Sequence, residues 1–176
     1  MTSPVISLEE LTEQPVYELS EALKIKNKNS ILRIRTSFLD QYSLLEIFPE
    51  LQSLELYNLG SQTPDELAFN PTLRILDLSN NQELTDITSV SFLKGLEEIS
   101  LSSTELVTIP SSFTKLQNLQ RFKMHLGKNL TDIQVLETLP KLSYIELIDC
   151  NNIDKFPSYL PSLVHLKTSD IFVLVN

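Results

Sequence analysis

Few groups in these 176 residues could do chemistry: one thiol, Cys150, two imidazoles, His125 and His165, and 23 carboxylates against 14 cationic side chains. Glu55 and Asp77 stand 22 positions apart. If units of that length stack as neighbouring strands, the two carboxylates become lateral neighbours about 5 Å apart, resembling a glycosidase pair at roughly 5 to 5.5 Å. An open strand face, however, has no pocket to raise one pKa or exclude water, so the pair reads as non-catalytic. In the same frame His125 and His165 fall two strands and four residues apart, about 16 Å, which no single ion spans. Cys150 would point inward, away from both. The three glycines, Gly60, Gly95 and Gly127, are scattered and form no phosphate-cradling loop. No enzyme activity, metal or cofactor is expected.

What must position these groups is a repeat. Leu makes up 33 of the 176 residues, and its spacing follows Leu-x-x-Leu-x-Leu at Leu51/Leu54/Leu56, Leu73/Leu76/Leu78, Leu96/Ile99/Leu101, Leu119/Phe122/Met124 and Leu142/Ile145/Leu147. Weaker copies flank these at Asn29/Leu32/Ile34 and Leu163/Leu166/Thr168, giving seven units at intervals of 21 to 23 residues. In each unit the second and third motif positions alternate like a strand, with the residue between them on the opposite face. One such strand cannot bury its apolar face alone, whereas a parallel stack closed by return segments across the back can.

The pattern resembles the leucine-rich repeat family over about residues 29 to 174. It is fullest at Leu73-Arg74-Ile75-Leu76-Asp77-Leu78-Ser79-Asn80-Asn81, and Ile109-Pro110-Ser111-Ser112-Phe113 looks like the linker of plant-type and intracellular members. The resemblance implies an α/β solenoid, a horseshoe with a parallel sheet on its concave face and loops or short helices on its convex face. It also implies an inward, backbone-bonding side chain at the ninth motif position, where Ser37, Leu59, Asn81, Thr104, Gly127, Cys150 and Ile171 stand. Helical spacing in the return segments is expected at 40–48 and 134–139, with irregular chain in the others.

The repeat also sorts the outward residues into columns. Before the second Leu come Ile31, Ser53, Ile75, Glu98, Arg121, Tyr144 and His165; between the second and third, Arg33, Glu55, Asp77, Ser100, Lys123, Glu146 and Lys167; after the third, Arg35, Tyr57, Ser79, Ser102, His125, Ile148 and Ser169. Acidic side chains gather in units two to four and basic ones toward the C-terminal end. Tyr and Ile among them are the amphipathic anchors that dominate interfaces. The expected partner-binding surface is Tyr57, Ile75, Asp77, Glu98, Arg121, Lys123, His125, Tyr144, Glu146 and Ile148, with a protein as partner. If His125 or His165 joins the contact, affinity should vary between about pH 6 and 7.

Residues 1–28 read as a helical N-terminal cap: Ser7 and Glu10 form a capping box, and Pro15 can open a second helix carrying Val16, Leu19 and Leu23. Residues 29–176 hold the repeats. Ile171-Phe172-Val173-Leu174-Val175 is expected to plug the last unit or to pair weakly with a second copy. A net charge of −9 disfavours nucleic acid and anionic membrane, and no apolar run is long enough to span a bilayer. A lone Cys and no signal-like start point to the cytoplasm. Asn129-Leu130-Thr131 matches a glycosylation acceptor, but Leu130 should face the core. The reading is a non-enzymatic protein-binding scaffold, with a translocated bacterial effector or a toxin-neutralising protein as the alternative.

Overall fold

The computed structural model describes residues 6–37, 43 and 45–169. Among the described residues eight strands form one all-parallel sheet in chain order: β1 (Tyr17–Glu18), β2 (Arg33–Thr36), β3 (Ser53–Leu56), β4 (Ile75–Ser79), β5 (Glu98–Ser102), β6 (Arg121–His125), β7 (Tyr144–Ile148) and β8 (His165–Thr168). Register follows the motif: Leu54 pairs with Leu76, Leu76 with Ile99, Ile99 with Phe122 and Phe122 with Ile145. All five are fully buried, as are Leu51, Leu73, Leu96 and Leu119 one column before them. These stacked columns are the hydrophobic interior that holds the sheet together.

The return path is more regular than the sequence suggests. Asp65–Phe69, Thr88–Phe92, Ser111–Lys115 and Gln134–Thr138 are each five-residue 3-10 turns. Their third residues, Leu67, Val90, Phe113 and Leu136, are fully buried. A unit of 22 or 23 residues leaves room for about one tight turn between strand and strand, and the tighter winding supplies it. The expected helix over 134–139 is therefore a 3-10 turn, and three segments expected to be irregular, 65–69, 88–92 and 111–115, repeat its geometry. The helical spacing expected over 40–48 falls partly outside the described residues.

Two other expectations change. Arg33 pairs with Ser53 and Ile34 with Leu54, so the first unit is Ile31/Ile34/Thr36 and not Asn29/Leu32/Ile34. Ile31, Ile34 and Thr36 are all buried; a polar residue in the third inward position hides the motif. The outward residues of this unit become Arg33 and Arg35, with Ser37 after them, and Ile31 leaves the concave face. At the other end the motif register holds, since Tyr144 pairs with His165 and Leu147 with Thr168. Leu166 on β8 is nonetheless 42 % exposed, unlike every earlier member of its column. The plug or dimer role expected of Ile171–Val175 lies outside the described residues, as does Ile171 of the ninth-position column.

The N-terminal segment holds α1 (Leu8–Thr12) and α2 (Leu19–Ala22). Ser7 and Glu10 make the reciprocal capping box, with Glu10 N–H donating to Ser7 Oγ at 3.1 Å and Ser7 N–H to Glu10 Oε2 at 2.8 Å. Pro15 does not begin a helix. Tyr17 and Glu18 instead pair with Ile34 and Arg35, adding β1 to the edge of the sheet, while Leu19 and Ala22 join the main interior.

Candidate functional site

The ninth-position column is the scaffold of the concave face. Asn81 is buried and fully used: its Oδ1 accepts from Leu59 N–H at 2.8 Å, and its Nδ2 donates to the Leu56 and Leu78 carbonyls at 2.9 and 2.8 Å. Leu59, which departs from the family pattern, is simply buried in the interior. Cys150 donates to the Met124 and Ile148 carbonyls at 3.4 Å, and burial pushes its thiol pKa up, so it is an inert member of the column. Gly127 leaves room for that sulfur, because a Cβ there would stand 3.1 Å from it and 2.8 Å from Met124 Cγ. One residue earlier in five of the units the chain turns through the left-handed region, at Asn58, Asn80, Ser103, Leu126 and Asp149. These turns end the strands and fix which side chains stand on the open face.

On that face charges pair between adjacent strands. Glu55 accepts from Arg33 at 3.4 Å and Arg35 at 2.6 Å. Glu98, almost fully buried, is held by Lys123 and, at 3.5 Å, by Arg121. Glu146 is the most connected: Tyr144 OH donates to it, Lys167 Nζ approaches at 3.0 Å and His125 Nε2 at 2.8 Å. Burial raises the Glu146 pKa, but these three partners outweigh it and hold the carboxyl at about 2. Tyr144 also meets the His165 ring at a centroid distance of 6.2 Å. An open cleft of about 550 Å³ lies over Arg121, Lys123, His125, Tyr144, Glu146 and His165. The expected separation into acidic and basic halves is therefore corrected: Glu98 and Glu146 sit among the cations and neutralise them.

The other expected positions are also placed. Glu55 and Asp77 are cross-strand partners, as the repeat requires. Glu55 is nevertheless spent on two arginines, and Asp77 Oδ1 accepts from Ser79 N–H at 2.8 Å. Tyr57 OH donates to Glu18 at 3.2 Å beside a second open cleft that Asp77 also lines. Ile148 is half-buried at the end of β7. Ile75 is the exception: it is not an exposed anchor, because Leu8 and Leu11 of α1 cover it. Among the described residues no group of three or more His, Cys, Asp and Glu side chains could hold a metal ion, and no helix is long and apolar enough to cross a membrane. Leu130 is buried, and Asn129 donates its amide to Glu105.

Sequence reasoning missed a polar row just before the strands. Arg74 forks onto Glu97 at 2.7 and 3.1 Å and also donates to Gln52 Oε1 at 3.0 Å and the Ile6 carbonyl at 2.7 Å; Gln120 donates to Glu97 at 3.1 Å. The 22- and 23-residue spacing of Gln52, Arg74, Glu97 and Gln120 is the signal that could have found it.

Residues 71–125 match the leucine rich repeat family model. The chain is 34% identical over 107 residues to a probable disease resistance protein of Arabidopsis thaliana, an alignment covering 56% of this chain and 12% of that protein. Among solved structures it is similar to a leucine-rich repeat protein of Leptospira interrogans, with a TM-score of 0.62, 23% identity, and 81% of this chain covering 42% of that one. It is also similar to an internalin of Listeria monocytogenes, with a TM-score of 0.57, 18% identity, and 80% covering 43%. The chain thus spans less than half the length of each of these relatives.

Proposed function

Because the chain is a leucine-rich repeat solenoid, we propose that it is a non-enzymatic scaffold that binds a partner protein through its concave strands, in the cytoplasm. The observation that carries this reading is the Glu146 hub. One buried carboxylate fixes Tyr144, His125 and Lys167 on an open face before any partner arrives, and side chains held in advance lose less freedom on binding. Lys123, on the next strand and paired to Glu98, and Ile148 extend the surface, while Tyr57 and Asp77 offer a second contact around the other cleft. A protein surface fits these anchors better than a small substrate does, since the clefts are open and Glu98 and Glu146 are already paired with cations. The likeness to a disease resistance protein supports a recognition role.

The test is affinity capture from native lysate with the full chain and with a Lys123→Glu, Tyr144→Ala double variant. Both should give the same circular dichroism spectrum, and the variant should lose the proteins that the unmodified chain retains. Equal capture by both baits rejects the concave surface.

A further inference from the structure

The segment 6–22 does two separable things, and one of them, the work of residues 6–14, has the form of a ligand. A solenoid end is closed by stacking on the first repeat, and β1 and α2 do this, with Leu19 and Ala22 continuous with the main interior. α1 does not. Its Leu8 and Leu11 pack with Ile75, flanked by Ile6 and Leu32, in a second cluster separate from that interior. Polar contacts surround the cluster. Arg33 donates to the Thr12 carbonyl and, at 2.9 Å, to that of Gln14; Arg74 donates to the Ile6 carbonyl at 2.7 Å; and Glu9 ion-pairs with Arg121. Three arginines spread over the sheet thus each spend an N–H on one short segment. A five-residue helix is marginal by itself, so α1 owes its form to its capping box and to this groove.

We infer that the groove running from Leu32 over Ile75 to Arg121 is a docking site for a short acidic amphipathic helix of a partner protein. Residues 6–14 occupy it in cis until that helix displaces them. The chemistry of the occupant is read from the stand-in: two large aliphatic side chains three positions apart, as Leu8 and Leu11 are, to meet Ile75, and a carboxylate between them, as Glu9 is, to meet Arg121. Displacement is feasible because the second cluster can open without exposing the repeat interior. The inference rests on the concave-face reading above and names the partner's contacting element. A tethered copy sits at high effective concentration, so an added helix of equal affinity competes poorly until the tethered one is weakened.

The probe is a fluorescein-labelled, amidated peptide of the sequence Ile-Ser-Leu-Glu-Glu-Leu-Thr-Glu-Gln, titrated by fluorescence polarisation against the full chain. A Leu8→Ser, Leu11→Ser variant should bind it at least ten-fold more tightly than the unmodified chain. Arg121→Glu added to that variant should cost at least ten-fold, and a probe with Arg in place of its first Glu should restore binding. On the unmodified chain, hydrogen exchange at α1 should be at least ten-fold faster than at β4 and β5. A folded double variant that binds no better than the unmodified chain overturns the inference. So does exchange at α1 as slow as in β4, whether or not the double variant folds, because α1 is then an integral part of the fold. Either failure, with capture still lost in the Lys123→Glu, Tyr144→Ala variant, leaves the concave scaffold standing.

Discussion

Glu9 in the first turn of α1 is ion-paired with Arg121 on β6, 112 residues further along the chain. The pair ties the N-terminal helix across the concave sheet and makes its attachment sensitive to acid. The hydrogen bond from Arg121 is the largest of the causes that lower the Glu9 pKa below the usual carboxylate value. A depressed folded pKa contributes stability above the unfolded value, about 4.3, and that contribution is lost as pH falls through the folded one. Protection of the Leu8–Thr12 amides, corrected for intrinsic exchange rates, should therefore fall between about pH 5 and 3, ahead of the core strands. Arg121→Ala should remove the part of that dependence carried by Glu9 and leave the part carried by Glu10, whose pKa the capping-box bonds with Ser7 also lower. Protection that is flat over the same range in the unmodified chain would show that the pair does not hold α1 down.

Glu146 makes a second acid-labile point, this one inside the proposed binding surface. Its carboxyl, held at about 2 against burial by Tyr144, Lys167 and His125, also has a depressed pKa, so the stability it contributes is present above about pH 4.5 and lost toward pH 2. Linkage alone gives about 3 kcal/mol, and screening of the exposed Lys167 and His125 partners reduces this to about 1 to 2 kcal/mol. Glu146→Gln should lower stability by that amount in urea at pH 7 and by roughly half of it or less at pH 3. An equal loss at both pH values would assign the effect to packing.

Asn81 tests how the turns are held. Its side chain satisfies one N–H and two carbonyls in the buried loop column, and Leu at this position would leave all three without that partner. Asn81→Leu should cost about 2 to 4 kcal/mol by thermal or urea unfolding. Cys150→Ala, which loses only weak sulfur contacts, should cost about half as much or less.

Much of this was legible in the residues because the period is strict. The Leu columns, the inward Cys150 and the pairing of Glu98 with Arg121 and of Glu55 with Asp77 follow from counting. The first unit was misread by two residues because Thr36 occupies an inward place that the motif reserves for Leu. β1 was invisible, as two residues carry no alternation to read. The position of α1 over Ile75 was also beyond reach. The capping box shows that a helix starts at Leu8, but where it packs is decided by Arg33, Arg74 and Arg121, which lie far from it in sequence.

The last prediction concerns Leu126. Five units place a residue at the same left-handed turn, and four of them use Asn, Ser or Asp: Asn58 at φ 55°, Asn80 at 63°, Ser103 at 51° and Asp149 at 55°. Leu126 adopts φ 54° with a side chain that is 42 % exposed. A Cβ-bearing apolar residue in this region costs roughly 1 to 2 kcal/mol, while Asn is tolerated because its short polar side chain can bond locally. The apolar contact that the exposed Leu side chain still makes returns part of that cost. Leu126→Asn should therefore stabilise the chain by about 0.5 to 1 kcal/mol and raise the melting temperature by roughly 1 to 4 °C. The reciprocal Asn80→Leu should destabilise by about 1 kcal/mol or more, since it also brings an apolar side chain to an exposed position. If Leu126→Asn lowers the melting temperature instead, the apolar contact of Leu126 outweighs its backbone strain, and the turn is held by packing rather than by local conformation.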